Sequence, residues 1–181
     1  MSEKYKVIDS LDTREVKRFG ELTGKKIHLI MKWKYCEPLN DSKKIDKVEE
    51  IFGIKFPLDF SNILMDNNAG HPEKSLFDTN KSKERIFGSL LDFNLDNYNN
   101  ILKVYLRIKD ILPNDVFPFG SDPGGNYLCF DYRNNLIEPE IIFWKHEGEL
   151  IDGNEIYQTE YISINFKIFL MNLYTGDMIK V

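Results

Sequence analysis

The sequence predicts an α+β fold: a single domain with a mostly antiparallel sheet, preceded by an N-terminal extension carrying one extra strand. Two observations predict the main domain. Short helical periodicities alternate with β-rich runs, and the central β-rich runs follow one another through turns rather than through helices. A third observation sets the extension apart. Residues 1–41 are basic and contain the alternating run Ile27-His28-Leu29-Ile30-Met31-Lys32-Trp33-Lys34-Tyr35. Its odd positions are apolar or aromatic and its even positions largely basic, which reads as a half-buried strand near a sheet edge where lysines discourage further pairing. Pro38, Asn40 and Asp41 break the pattern, so the expected division is 1–41 and 42–181.

From there the elements follow in order. Ser42 is placed to cap a helix over 43–52, with Ile45, Val48, Ile51 and Phe52 as apolar positions and Gly53 as its stop. Pro57 suits the first position of a second helix, whose face is Phe60, Ile63, Leu64 and Asn67. A strand is expected over 86–93. A third helix is expected over 97–109, with Tyr98, Ile101, Leu102, Tyr105 and Ile108 at helical spacing and Pro113 beyond its end. Val116 to Phe119 is short and apolar, and Asp122-Pro123-Gly124-Gly125-Asn126 is a dense turn signal in which Gly124 and Gly125 permit positive φ. Tyr127 to Tyr132 and Ile141 to Lys145 suit two antiparallel strands joined by a loop around Asn134-Asn135. Ser163 is a candidate cap for a last helix over 163–174 with Phe166, Phe169, Leu170 and Leu173 inward, and Gly176 closes it.

The net charge of −5 is unevenly placed. Residues 1–47 hold 12 Lys+Arg against 8 Asp+Glu, whereas 48–181 hold 12 against 21. Within 110–160 there are 11 acids and two bases, Arg133 and Lys145. Such a segment repels nucleic acid and attracts a basic protein, so direct nucleic-acid binding is not expected. Asp131, Glu138, Glu140, Glu147, Glu149, Asp152 and Glu155 are therefore the candidate partner contacts. Two cysteines, Cys36 and Cys129, form no disulfide framework, no run approaches the ~20 apolar residues a bilayer needs, and Met1 to Lys6 leads into no signal-peptide core. A cytoplasmic protein outside the membrane is the expectation.

Catalytic patterns are weak. His28, His71 and His146 are scattered, no C-x-x-C or H-E-x-x-H occurs, and neither metal nor cofactor is expected. Gly120 to Asn126 lacks the Lys-Ser/Thr of a phosphate loop and precedes a strand rather than a helix. The thiol of Cys129, inside a hydrophobic strand, reads as buried and inert. The near-pairs Glu138/Glu140, Glu147/Glu149 and Asp152/Glu155 say nothing about facing across a cleft, whereas a patch for a basic partner needs only exposure on one side.

Four segments carry a resemblance. Val48 to Phe60 joins an opening helix, Gly53, an apolar step to Pro57 and a second helix. Asn67-Asn68-Ala69-Gly70 follows. Val116 to Asp131 contains Phe119-Gly120, Asp122, Gly124-Gly125 and Leu128-Cys129-Phe130-Asp131, and Ile164 to Leu170 opens the closing helix. In this order they resemble the SUKH superfamily, the Smi/Knr-type domain, over about residues 43 to 174. Ala69 stands where that family usually has glycine, and Asn126 where it commonly has Asp. The resemblance implies a curved, mainly antiparallel sheet with packed helices and a protein that is not an enzyme. It implies a bacterial immunity protein that binds and blocks a cognate toxin, often a nuclease. The alternative it implies is a regulatory scaffold of the cell-wall-synthesis type. Tyr127, Tyr132 and Trp144 are candidate aromatic anchors, with core packing expected for at least two. The N-terminal strand adds the expectation of self-association through a sheet edge.

Overall fold

The computed structural model describes residues 31–151 and 154–176, and for 149–151, 154 and 155 the backbone alone. Within these residues the order is β1 (Trp33–Lys34), α1 (Lys43–Phe52), α2 (Leu58–Asn67), β2 (His71–Pro72), β3 (Leu76–Phe77), β4 (Arg85–Ile86), β5 (Ser89–Leu90), α3 (Ile101–Ile108), β6 (Val116–Ser121), β7 (Tyr127–Asp131), β8 (Glu140–Ile151), β9 (Asn154–Ser163) and α4 (Phe166–Met171). Strands β5 to β9 form one antiparallel sheet in sequence order: β6 to β9 follow one another through turns and loops, and β5 pairs with β6 across the connection that carries α3. Two small antiparallel pairs, β1–β2 and β3–β4, flank it. This is the α+β architecture the sequence predicts.

The core is built from phenylalanine. Twelve of the 13 lie in the described residues, and all twelve are buried. Phe60 of α2 meets Phe130 and Phe166 edge-on at centroid distances of 5.0 and 5.1 Å, and Phe119 lies 4.4 Å from Phe130. These contacts lock α2 and α4 against β6 and β7, and Phe52 of α1 stacks on Phe117 of β6 at 4.9 Å. The described phenylalanines are thus spent inside, and the large apolar side chains left at the surface are aliphatic or tyrosine, with Leu58, Leu136, Ile137, Tyr35 and Tyr98 the most exposed.

Local chemistry moves several boundaries. Ser42 makes no cap bond; Asp41 Oδ1 accepts from the Lys43 amide at 2.9 Å instead. On α1 the inward residues are Ile45, Val48, Glu49 and Phe52, while Ile51 faces solvent. Gly53, at φ 70°, ends the helix with its amide on Glu49 O. Pro57 sits one place before α2 in an extended conformation. Helix α3 starts at Ile101 rather than 97, because the Asn-rich run before it uses its amides locally. Asn100 bonds Leu95 O and Asn97 O and caps Lys103, which leaves Tyr98 87% exposed rather than inward. The expected 86–93 strand divides at Gly88: β4 pairs with β3 and β5 with β6. Asn165, not Ser163, caps α4, which runs 166–171. Of the two turn glycines only Gly125, at φ 86°, uses the left-handed region. Cys129 is buried, with its thiol pushed well up by burial, while Cys36 is only half-buried. Residues 27–30 of the N-terminal strand lie outside the described residues.

The largest addition is the β8–β9 hairpin. Strand β8 runs through to Ile151 and pairs with β9 down to Ile151 opposite Asn154. The dipeptide Asp152-Gly153 was the available signal, since Asp-Gly between β-rich runs marks a two-residue hairpin.

Candidate protein interface

The described candidate acids fall at the start of β8 and along its hairpin arm. At its start the chain leaves β7 through Asp131, which is 3% exposed. Both Asp131 oxygens are taken by the neighbouring guanidinium, Arg133 Nε at 2.9 Å and Nη2 at 2.7 Å. The fork fits a carboxylate, and that hydrogen-bonded pairing raises the Arg133 pKa further. Asp131 thus shapes the loop from inside rather than facing outward. Glu140 stands opposite it in register and is half-buried. Tyr132 turns inward and donates to Lys55 O at 2.9 Å; burial pushes its phenol well up, so it remains a donor.

Beyond Tyr132 the loop is exposed. Asn135 Oδ1 accepts from the amides of Ile137 (2.9 Å) and Glu138 (3.0 Å), an Asx-type turn that fixes the loop tip. That turn presents Leu136 and Ile137 outward, 75% and 81% exposed, with Glu138 exposed beside them. Opposite lies the α1–α2 connection, with Leu58 at the start of α2 74% exposed. The groove between them has a volume of about 680 Å³. Its buried acid, Glu49, is satisfied internally: Oε1 accepts from the Phe56 amide at 2.8 Å and Oε2 holds Lys55. Asp46 and Glu50 complete an acidic rim.

At the far end of β8, Glu147 is exposed beside His146. The His146 amide and Nδ1 both meet Asn126 Oδ1, at 3.1 and 3.0 Å, while Asp122 accepts from the Asn126 amide and side chain. The residue that departs from the family's usual Asp therefore ties the glycine turn to β8. Glu149 and Glu155 lie on the hairpin backbone, their side chains outside the described residues, as is Asp152 altogether. At ~3.3 Å per residue, Glu140 and Ile151 are about 36 Å apart along the strand. Among the described side chains, the acids at the start of β8 and Glu147 on its hairpin arm thus stand apart rather than in one cluster. Trp144 and Tyr132 are core residues, and half-buried Tyr127 stacks on Trp144 at 6.0 Å.

The other marked positions are structural. Asn68 is buried; its Oδ1 accepts from the Phe93 amide and its Nδ2 donates to Asp92. A Cβ on Gly70 would meet Asn67 O at 2.8 Å and Cys36 at 2.9 Å, so glycine lets the segment carrying β1 close on α2. Gly120 makes room for the Phe87 ring, and Gly124 sits over the Asp122 carboxylate.

Sequence reasoning missed Leu58, Leu136 and Ile137, which interrupt no motif, and it missed Glu160. Glu160, 1% exposed on β9, bonds Lys145 Nζ at 2.8 Å, Thr79 Oγ1 at 2.6 Å and Ser82 Oγ at 2.8 Å. Burial alone would raise its pKa; the lysine and two hydroxyls outweigh it and hold the carboxyl down to about 2. Only the fold brings residues 79, 82 and 145 to residue 160. Among the described residues no group of three or more His, Cys, Asp or Glu is arranged to hold a metal, and no helix is long and apolar enough to cross a membrane.

Comparison with known families decides the lineage. The SUKH-group family described as SMI1-KNR4 cell-wall matches residues 42–170, from the cap of α1 into α4. The chain belongs to the SUKH superfamily. The chain is also similar, over 52 residues at 33% identity, to the SPbeta prophage-derived uncharacterized protein YokK of Bacillus subtilis (strain 168). That stretch is 29% of this chain and 25% of YokK, so the match spans about a quarter of that protein.

Proposed function

We propose that this SUKH protein is a cytoplasmic immunity protein: it binds a cognate basic toxin, a nuclease, one-to-one and blocks it without catalysis of its own. The observation that carries this reading is the excess of acid over base in 110–160, on a domain whose family is associated with toxin binding. A nuclease surface that grips phosphate is basic, and carboxylates steer an inhibitor to it. Glu138, Glu140, Glu147, Glu149, Asp152 and Glu155 are the proposed region of attraction. Asp131 contributes by orienting Arg133. Protection requires an affinity on the order of nanomolar, about −12 kcal/mol. Self-association through the N-terminal strand is a separate proposal. Its described part, Trp33–Lys34, pairs with β2.

The test is a tagged pull-down from the native host at low and at high salt, with retained proteins identified by mass spectrometry and the partner's toxicity measured with and without this chain. One dominant basic partner, near one-to-one and neutralised on co-expression, is the expected result. A housekeeping partner, or a toxin left active, contradicts it. The cell-wall description of the family favours a second reading, a regulatory scaffold binding a host protein. A scaffold need not be encoded beside a toxin gene, as an immunity protein normally is.

A further inference from the structure

We propose that the groove between the α1–α2 connection and the β7–β8 loop is where the partner anchors, and that its occupant is a segment of a basic protein carrying a large apolar side chain next to Lys or Arg. The proposal rests on the immunity reading for the partner's basic character, but the groove argues for its own occupant. Leu58, Leu136 and Ile137 expose most of their surface around it, in a domain that has buried every described phenylalanine. Apolar side chains gathered at one place on a soluble domain mark a contact surface. The Asn135 turn holds the tip in place before binding, which lowers the ordering cost on association.

Charge selects the occupant. Asp46 and Glu50 line the groove from α1, exposed Glu138 follows the apolar tip in the chain, and Lys55, the cation lining the groove, is held by Glu49. A second copy would bring the same acids against these. A small polar ligand finds no free orienting group among the buried lining residues, because Glu49 and the Tyr132 hydroxyl are already bonded to Lys55, the Phe56 amide and Lys55 O. A basic segment with an apolar anchor meets both features at once.

The experiment presents a phage-displayed random peptide library to the immobilised full chain. The consensus peptide is then measured by fluorescence anisotropy against the wild type, Leu136→Asp/Ile137→Asp, Glu50→Lys and Glu147→Lys. All four substituted side chains are exposed, and circular dichroism checks that each variant folds. Selected peptides should combine Lys or Arg with a large apolar residue. Affinity should fall about tenfold or more in the double loop variant. It should fall about threefold to tenfold in Glu50→Lys at low salt and less at high salt. Glu147→Lys, on the distant arm, should change little. Acidic consensus peptides, no selected peptide, or equal binding by the double loop variant would overturn the proposal. So would a concentration-dependent dimer that the double variant abolishes, since it would give the groove to a second copy. Neutralisation of a toxin by the double variant as by wild type would sink the groove and leave the immunity reading standing. Loop-dependent peptide binding without any neutralised toxin would sink that reading alone.

Discussion

The two ends of β8 carry the same sign of charge and treat it in opposite ways. At the loop end, Asp131 is buried and forked by Arg133, and Glu49 beneath the groove is held by Lys55 and the Phe56 amide. What that end offers to solvent is aliphatic, Leu136 and Ile137, with Glu138 at the rim. On the hairpin arm, Glu147 stands exposed beside a less accessible His146. Glu160 marks the place where the arm leaves the core, tied to Lys145 and to the 79–82 loop. An acid counted in the sequence is thus either a structural ligand or a surface charge, and only its partners decide which.

The largest expected effect removes the tie between the two regions. Glu160→Ala leaves half-buried Lys145 without its counter-charge and the Thr79 and Ser82 hydroxyls without their buried acceptor, and should cost about 3 kcal/mol in denaturant unfolding. The same carboxyl has a pH signature. Its folded pKa of about 2 lies below the ordinary 4.5, so its stabilisation is complete above about 4.5 and is lost as pH falls toward 2. In Glu160→Gln that part of the acid limb should flatten. Next, Asp131→Ala should cost about 2 kcal/mol by freeing the Arg133 guanidinium and leaving the Arg133 amide without its acceptor, whereas Glu147→Ala should stay within about 0.5 kcal/mol. Equal costs at the two sites would break the contrast. Third, Glu147→Lys with Glu149→Lys should slow association with the basic partner several-fold, by about threefold to tenfold at low salt, with little change in dissociation. An unchanged on-rate removes the arm from the steering surface. Smallest is Leu136→Asp/Ile137→Asp in the free protein, which should shift stability by no more than about 0.5 kcal/mol because both side chains already face water.

Much of the fold was legible. The faces of α2 and α4 were written in their spacing, since Phe60, Ile63, Leu64, Asn67, Phe166, Phe169, Leu170 and Leu173 are all inward. Helix starts were less legible, because Asp41 and Asn165 compete with nearby Ser42 and Ser163 for the capping role, and the Asn-rich run delays α3. Ala69 shows a different limit. It adopts φ 57°, where the family usually has glycine, so the motif's backbone survives a residue that strains it. The candidate site was legible only as charge. Exposure of Leu136 and Ile137 depends on the Asn135 turn, and the burial of Asp131 and Glu160 depends on partners that are distant in sequence or on the packing of the sheet. No periodicity carries that information.

The most direct measurement is titration calorimetry of the purified partner from the pull-down with wild type, Leu136→Asp/Ile137→Asp and Glu147→Lys. The account predicts a near one-to-one inflection for wild type and an affinity loss of about tenfold or more for the loop variant. It predicts a smaller, salt-sensitive loss for the arm variant. Full affinity in the loop variant together with a large loss in the arm variant would contradict it and move the interface to the hairpin.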